Sequence, residues 1–381
     1  MPVDNRYDRQ ERIKGWNQSL LSNARVMIAG AGAIGNELIK NLAMAGIGHM
    51  LIVDSDIIEK SNLSRSVLFR DADIQRPKAE VAAARAKEIN PDIDVSYIVG
   101  NLFFDIGLGF YRHSDLVISG LDSIAARAHV GNACFLTAVP FLDAGMWSFG
   151  GEVRWFIPSQ GPCFECTLSR EDQKRAYERH SCTSFHQEES EQEPPLPTTI
   201  STTAIVAGIL SQEAIKYLSN WKITPGEAIV YNGMHVSMHN SKFKKKDGCM
   251  WHQPYDPIIS IHEKSENLTA RQLFKMAQKN GHDQAILSLG RDLLIHFYCH
   301  HCQKREDVNK LTGKISASEV QCPVCNNERD YQTISQLYNN ELFCDHSLSE
   351  LGIPPGDILA LSVKKDVWFY ELSGDLSHWH P

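Results

Sequence analysis

The stretch of residues 25–65 constrains the fold more than any other part of the chain. A short apolar run ends at Gly30, and Gly32 and Gly35 continue the spacing G-x-G-x-x-G. Apolar residues then recur at helical spacing until Gly46 ends the pattern. A strand, a glycine turn and a helix in this order predict a nucleotide-binding βαβ unit, because small residues let phosphate approach the backbone and the helix N-terminus attracts it.

An acid and a set of phosphate-binding side chains follow this unit. A second apolar run ends at Asp54, which can hold a ribose hydroxyl. The glycine motif alone fits a nicotinamide dehydrogenase as well as an ATP-dependent enzyme. Asn62, Arg65 and Lys78 come next, and an amide with two cations can bind several phosphate oxygens. These extra cations favour a triphosphate over a dinucleotide, although such residues are usually solvated surface charges.

Composition limits the class of protein. The 381 residues can form two or three modules with proper cores, and a net charge of −8 argues against a nucleic-acid partner. The N-terminal residues contain no apolar signal region, and no window approaches eighteen apolar residues, so we expect a cytoplasmic protein without a membrane partner. Six of the ten cysteines form three C-x2-C pairs, a metal-site spacing typical of reducing compartments.

Two of the cysteine pairs predict a metal site on spacing alone. Cys299 and Cys302 form one pair, and Cys322 and Cys325 form the other. Two such knuckles at this separation are typical of a zinc ribbon, here placed at residues 297–328. Because the protein fills all four ligand positions, a structural role is expected.

Periodicity and turn residues predict further elements. The N-terminal residues 1–24 have a polar helical pattern, and Thr269 is expected to cap a helix at residues 269–280. The stretch 347–372 predicts helix, turn, strand, turn and strand. Five other elements are predicted as helices at 78–89, 125–138 and 200–218 and strands at 94–99 and 116–119.

Four motifs resemble those of the MoeB/ThiF/ubiquitin-activating superfamily. They are GAGAIG at 30–35, VDSDIIEKSNLSR at 53–65, RPK at 76–78 and SGLDSIAAR at 119–127. The resemblance covers roughly residues 6 to 250 and departs from the family at Ser66, where glutamine is frequent. It implies an α/β fold: a Rossmann-like, doubly wound adenylation domain over residues 1–253, with a mobile cysteine loop at about 167–198.

The resemblance also assigns roles in an ATP site. Gly30, Gly32, Gly35, Asp54, Asn62, Arg65 and Lys78 would bind ATP. Asp122 would bind the magnesium ion on its phosphates, with a helix-capping aspartate as the alternative. Arg9 would reach into the site of the opposite protomer and so implies a homodimer, whereas the simpler interpretation is a surface arginine.

A nucleophile and a second metal site follow from the same resemblance. Cys182 precedes a polar, acidic, proline-containing segment and would receive the activated carrier as a thioester. Cys163 and Cys166 would form a structural zinc site with Cys249 and His252. The expected cofactors are therefore ATP, Mg²⁺ and Zn²⁺ at two structural sites.

Residues 254–381 are similar, in their last strands, to the ubiquitin-fold domain that ends eukaryotic activating enzymes. That domain recruits a conjugating enzyme; an unrelated α+β appendage that aids dimerisation is the alternative. The resemblance thus predicts activation of a ubiquitin-like carrier protein, thioester formation on Cys182 and transfer to a conjugating enzyme. Competing interpretations are a MoeB/ThiF-type sulfur-carrier adenylyltransferase, a nicotinamide oxidoreductase and a non-catalytic scaffold.

Overall fold

The structure, a computed structural model, describes residues 5–178, 197–339, 341–376 and 379. The chain divides into two compact units. The first contains the chain up to Phe103, then Tyr111–Gln173 and the described part of Pro195–Pro254. The second contains Phe104–Phe110 and the described parts of Lys174–Pro194 and Tyr255–Pro381.

The regular elements are numbered in chain order. Helices in the described residues are α1 (Asp8–Glu11), α2 (Gln18–Asn23), α3 (Ala33–Ala45), α4 (Lys78–Ile89), α5 (Leu108–Arg112), α6 (Ile124–Leu136), α7 (Arg170–Glu178), α8 (Ile200–Leu218), α9 (Ala270–Lys279) and α10 (Ala317–Val320). Strands of the first unit are β1 (Arg25–Ala29), β2 (His49–Asp54), β3 (Asp94–Val99), β4 (Leu116–Ser119), β5 (Phe141–Trp147), β6 (Gly150–Phe156), β7 (Glu227–Asn232) and β8 (Ser237–Lys242). Strands of the second are β9 (Ile258–Ile261), β10 (Ile286–Cys299), β11 (Lys304–Leu311), β12 (Asp330–Tyr338), β13 (Ile358–Val363) and β14 (Asp366–Leu372).

The first unit is organised around a sheet that, over the described residues, has eight strands in the order β3-β2-β1-β4-β5-β6-β7-β8. Neighbouring strands from β3 to β5 are parallel, and those from β5 to β8 are antiparallel. Ile28, Ile52 and Ile118 are fully buried, as expected for central strands covered on both faces. The chain order reverses between β1 and β4, which is where open parallel sheets bind ligands.

Most elements of this unit match the sequence prediction. Helices α4 and α8 and strands β3 and β4 begin and end at the predicted residues, and α6 differs by one or two residues at its ends. The N-terminal prediction is only partly right, because residues 5–24 form the two short helices α1 and α2 rather than one continuous helix. Gly15 lies between them with a φ of 91°, a left-handed conformation that interrupts a helix.

The second unit is a mixed sheet with one long helix. Its strands lie in the order β11-β10-β13-β14-β9, and β12 also pairs with β10. Helix α9 follows β9 and begins after Thr269, whose side chain accepts the backbone N–H of Gln272; the predicted cap is confirmed. The segment Phe104–Phe110 belongs to this unit: the Gly109 N–H donates to the Gly356 carbonyl at 2.8 Å.

The helix predicted at the start of residues 347–372 is wrong. Ser347 and Glu350 do form a capping arrangement, in which the Ser347 hydroxyl donates to the Glu350 carboxylate at 3.0 Å. The chain then turns at Gly352, which has a φ of 77°. Two prolines follow at 354 and 355, so a helix cannot propagate beyond this turn. The two later strands are present as β13 and β14.

Candidate functional site

The glycine turn between β1 and α3 leaves room for a ligand. Gly30 has a φ of 96°, and its N–H donates to the Val53 carbonyl at 2.9 Å. A Cβ on Gly35 would lie 2.1 Å from the Gly30 carbonyl oxygen, so only glycine lets α3 pack this closely. A Cβ on Gly32 would meet no atom of the described residues within 4 Å. The N-terminus of α3 therefore faces open space, the arrangement in which helix ends bind phosphate.

Asp54 ends β2 and is tied to this turn. One carboxylate oxygen accepts the Ala31 N–H at 2.7 Å, and the other accepts the Asp56 N–H at 2.8 Å. Burial raises the pKa of Asp54, and the two backbone donors partly oppose that rise. The carboxylate is thus fixed beside the glycine turn, where a ribose acid is expected.

Lys78 begins α4 and points back towards the residues that follow β2. Its Nζ donates to the Asp56 carboxylate at 2.7 Å, and its backbone N–H donates to the Asp56 carbonyl at 2.9 Å. The Lys78 side chain is 12% exposed, whereas that of Asp56 is 64% exposed. The sequence prediction did not include Asp56. A phosphate that binds Lys78 would have to compete with this carboxylate.

Asn62 and Arg65 lie on a short 3-10 turn, Lys60–Ser64, and at its end. The Asn62 side-chain oxygen accepts the Glu59 N–H at 2.9 Å, and the Arg65 guanidinium donates to the Ser61 carbonyl at 2.8 Å. Both side chains are half-buried. The Asn62 Nδ2 and the other guanidinium nitrogens of Arg65 are among the donors that this turn can offer to an anion.

A buried asparagine joins this loop to the glycine turn. Asn36 is fully buried, and its Nδ2 donates to the Ala31 carbonyl at 2.6 Å. Its side-chain oxygen accepts the Leu68 N–H at 3.0 Å. The amide therefore fixes the segment after Arg65 against the first turn of α3. Sequence reasoning missed Asn36, and its only signal is a polar residue on an otherwise apolar helix face.

Asp122 lies just beyond the carboxyl end of β4 and is exposed. The N-cap of the following helix is Ser123, whose hydroxyl accepts the Ala126 N–H at 3.4 Å. The capping role considered for Asp122 therefore belongs to its neighbour. The loop that carries Asp122 begins at the same edge of the sheet as the glycine turn, because the Gly120 N–H donates to the Ala29 carbonyl at 3.2 Å.

Two other predicted site residues lie apart from this edge or outside the described residues. Arg9 is on α1 and is exposed. Cys182 lies outside the described residues, which stop at 178 and resume at 197.

The first predicted metal cluster is brought together from two places in the chain. The ligand atoms of Cys163, Cys166, Cys249 and His252 all lie within 4.8 Å of one another. The Cys163 Sγ is 3.6 Å from that of Cys166 and 3.5 Å from that of Cys249, and the Cys166 Sγ is 3.3 Å from the His252 Nε2. Zinc–sulfur bonds of about 2.3 Å in a tetrahedron place sulfurs about 3.8 Å apart. The donor set and its spacing therefore fit zinc.

The environment of this cluster suits a metal ligand set. Burial raises the pKa of Cys163 and Cys249, so a cation is needed to hold these sulfurs as thiolates. Burial, helped by Lys245, lowers the pKa of His252 and keeps its imidazole in the neutral form that binds metals. The Lys246 N–H donates to the Cys166 Sγ at 3.3 Å.

The second cluster contains all four cysteines of the predicted ribbon. The sulfurs of Cys299, Cys302, Cys322 and Cys325 lie within 4.8 Å of one another, and those of Cys299 and Cys325 are 3.6 Å apart. The backbone N–H groups of Val324 and Cys325 lower the pKa of the Cys322 thiol to about 6. An all-thiolate tetrahedron of this kind fits structural zinc.

The parallel strands, the glycine turn and the acid at the end of β2 define a Rossmann-like nucleotide-binding protein. Its family is the ThiF family, whose model matches residues 7–251, so the chain belongs to it. The resemblance inferred from the four motifs is thereby confirmed.

Individual relatives agree with this placement. The chain is 32% identical over 243 residues to the SAMP-activating enzyme E1 of Haloferax volcanii, covering 61% of this chain and 81% of the relative. It is 29% identical over 250 residues to the molybdopterin-synthase adenylyltransferase of Escherichia coli, which covers 64% of this chain and 94% of the relative. The crystal structure of E. coli MccB with ATP matches with a TM-score of 0.53 at 23% identity. The match covers 65% of this chain and 75% of the MccB chain, and it shows the fold.

Other relatives are much longer. The chain spans 16% of the length of two wheat ubiquitin-activating enzymes that it matches at 38% identity. Among the described helices, none is both long and apolar enough to cross a membrane.

Proposed function

We propose that this protein activates a ubiquitin-like carrier protein in an ATP-dependent reaction. It adenylates the carrier's C-terminal carboxylate, forms a thioester on Cys182 and passes the carrier to a conjugating enzyme. The observation that carries the proposal is that Asp54, at the end of β2, accepts the Ala31 N–H of the glycine turn, while Asp122 follows the end of β4 on the other side of β1. The family match over residues 7–251 and the similarity to the SAMP-activating enzyme support it.

The first half-reaction requires positioning rather than proton transfer. A carboxylate oxygen of the carrier forms a bond to the α-phosphorus of ATP, the bond to the bridging oxygen breaks, and pyrophosphate leaves. The carboxylate is already ionised at neutral pH, so no general base is needed. Lys78, Arg65 and Asn62 would neutralise and orient the phosphates, while Asp54 would hold the ribose. Magnesium, which adds charge neutralisation when it is bound, would be held by Asp122.

The second half-reaction moves the acyl group to sulfur. The Cys182 thiol first loses its proton to solvent. Its thiolate then attacks the carrier's carbonyl carbon, the bond to the AMP oxygen breaks, and AMP leaves. The thioester then exchanges onto a cysteine of a conjugating enzyme. The second unit would recruit that enzyme as a ubiquitin-fold-like domain.

One other function has specific support. The match to the E. coli molybdopterin-synthase adenylyltransferase covers 94% of that enzyme's length. This similarity favours the function of a sulfur-carrier adenylyltransferase, which would pass its adenylate to a sulfur donor. The second unit argues for conjugation, because its main part, from Tyr255 onward, lies beyond the family match. The two functions share the first half-reaction and differ in the fate of the adenylate.

Carrier-dependent exchange of labelled pyrophosphate into ATP tests the proposal. We expect exchange with a ubiquitin-like protein from the same genome and none with that carrier lacking its last residue. A non-reducing gel then separates the two functions: a thiol-sensitive conjugate that moves to a second protein supports conjugation. A set of candidate carriers that gives no exchange, with ATP binding intact, would refute adenylation of such proteins.

We expect the two clusters to bind zinc, with two ions per chain. Cys249→Ser should lower the zinc content to one ion per chain and lower the melting temperature, because a structural ion contributes directly to folding. His252→Cys should keep two ions, since a thiolate replaces the imidazole as a ligand. Mass spectrometry of the metals measures both outcomes, with Cys134→Ser as the control at a buried cysteine outside both clusters. A zinc content that Cys249→Ser leaves unchanged would contradict this assignment.

Arg9 is proposed to act in the site of a partner protomer of a homodimer. Arg9→Ala and Lys78→Met should each be nearly inactive in pyrophosphate exchange. When the two variants are combined, dissociated and allowed to reassociate, half of the dimers should contain one chain of each variant. Each of these heterodimers has one intact site out of two, so the sample should regain about one quarter of the wild-type activity. Activity that stays at the level of the separate variants would show that Arg9 acts in its own chain or not at all.

A further inference from the structure

A buried ionic cluster lies next to the loop that carries Asp122. Asp143 in β5 is fully buried and accepts five hydrogen bonds. Arg127 donates to its two oxygens at 2.9 and 2.6 Å, Arg154 donates twice to one oxygen at 3.1 and 2.8 Å, and the Ser119 hydroxyl donates at 2.6 Å. Burial raises the pKa of Asp143, but the two guanidiniums outweigh that effect and lower it to about 2. The carboxylate is therefore ionised at every pH at which the protein would work.

This cluster ties both ends of one loop to a single carboxylate. Ser119 is the last residue of β4, and Arg127 lies in the first turn of α6. Residues 120–123 connect them and include Asp122. Burial opposes the charge of Arg127. The carboxylate of Asp143 raises the pKa of Arg127 most, and those of Glu152 and then Asp122 raise it further. The charge of Asp122 thus has a small favourable effect on the guanidinium that Asp143 holds.

The surroundings are shaped to accept the two guanidiniums. A Cβ on Gly145 would lie 2.8 Å from an Arg127 nitrogen, so glycine leaves the space that the side chain fills. The ring of Phe164 lies 5.5 Å from the Arg127 guanidinium and 4.8 Å from that of Arg154. Buried ion clusters of this kind contribute little net stability compared with apolar packing, so stability alone does not account for it.

We infer that Asp143 is a positioning residue that fixes the 120–123 loop, through Ser119 and Arg127, so that Asp122 faces the metal-bound phosphates of the nucleotide. The inference deepens the proposed function and rests on it. It assigns no contact between Asp143 and the nucleotide, because the carboxylate is fully buried.

Asp143→Asn tests the inference, because asparagine keeps the shape and removes the charge. We expect a folded protein in which half-saturation of ATP binding requires about tenfold more Mg²⁺, the size of effect seen when a partner of a metal ligand is removed. Hydrogen exchange of residues 119–127, measured without nucleotide, should become faster. Ser119→Ala removes one hydrogen bond of the same cluster. It should also raise the Mg²⁺ requirement and speed up hydrogen exchange, so it provides a second test if Asp143→Asn does not fold.

Glu213→Gln is the matched control. Glu213 is also buried and accepts hydrogen bonds from Trp155 at 2.9 Å and Lys216 at 2.7 Å. Its substitution should lower stability without changing the Mg²⁺ requirement or the exchange of residues 119–127. The inference is overturned if both cluster variants behave like this control. Failure of the wild-type chain to bind ATP at any Mg²⁺ concentration would instead refute the proposed function, and the exchange measurement would still decide whether Asp143 holds the loop.

Discussion

Lys78→Met should lower the rate of carrier-dependent pyrophosphate exchange by on the order of 10²–10³, the usual effect of removing one donor that stabilises transition-state charge. The Lys78 side chain is only 12% exposed and its Nζ is held by Asp56 at 2.7 Å. A largely desolvated ammonium interacts strongly with phosphate, because little water competes with the ligand. Methionine keeps most of the side-chain volume, so the fold should be retained.

The matched control for this prediction lies on the same helix. Lys87 occupies the last turn of α4 and is 49% exposed, so Lys87→Met should change the exchange rate by less than about twofold. Initial rates at saturating carrier, with ATP varied, separate weaker binding from slower chemistry. Equal rates for the wild type and Lys78→Met would remove Lys78 from the ATP site.

Cys182→Ala should abolish the thioester and leave pyrophosphate exchange within about twofold of the wild-type rate, since in the proposed reaction the thiol acts only after the adenylate has formed. Cys182→Ser should give a conjugate that resists thiol, because an oxygen ester replaces the thioester. Non-reducing and reducing gels with labelled carrier measure these outcomes.

Cys134→Ala is the control for the cysteine experiment. Cys134 is fully buried in α6, and burial raises its pKa well above the ordinary value, so it cannot act as a nucleophile. The thioester should form normally in this variant. A thioester that survives in Cys182→Ala would refute the assignment of the nucleophile.

Local patterns predicted much of the nucleotide-binding half of the chain. Apolar runs and turn residues gave strands β3 and β4 and helices α4 and α8 with the correct ends, because those elements are set by short-range periodicity. The close contact between α3 and the glycine turn also depends on residues that are near in sequence. Gly35 is required where α3 packs against the Gly30 carbonyl, and the G-x-G-x-x-G spacing in the sequence therefore predicts this contact.

Contacts between distant residues could not be predicted in the same way. Asn36 binds Leu68, and Asp143 binds Ser119 and Arg154, yet no spacing rule relates these positions. The helix predicted at the start of residues 347–372 shows a different limit: the contact between Ser347 and Glu350 forms, but the chain turns at Gly352 instead of continuing as a helix.

The metal clusters could be predicted in part from local spacing and in part only from the family resemblance. The four ribbon cysteines were predicted from spacing, because each C-x2-C knuckle is a local unit. Joining Cys249 and His252 to the first pair required the resemblance to a family, since more than eighty residues separate the two pairs.

Titration of the purified chain with Mg-ATP and with NAD⁺ by calorimetry tests the central claim, that the groups beside the glycine turn recognise a triphosphate. We predict one Mg-ATP site per chain, binding that weakens about tenfold or more in Arg65→Ala and Lys78→Met, and no measurable binding of NAD⁺. Binding of NAD⁺ in preference to Mg-ATP, or Mg-ATP binding that both substitutions leave unchanged, would contradict the account.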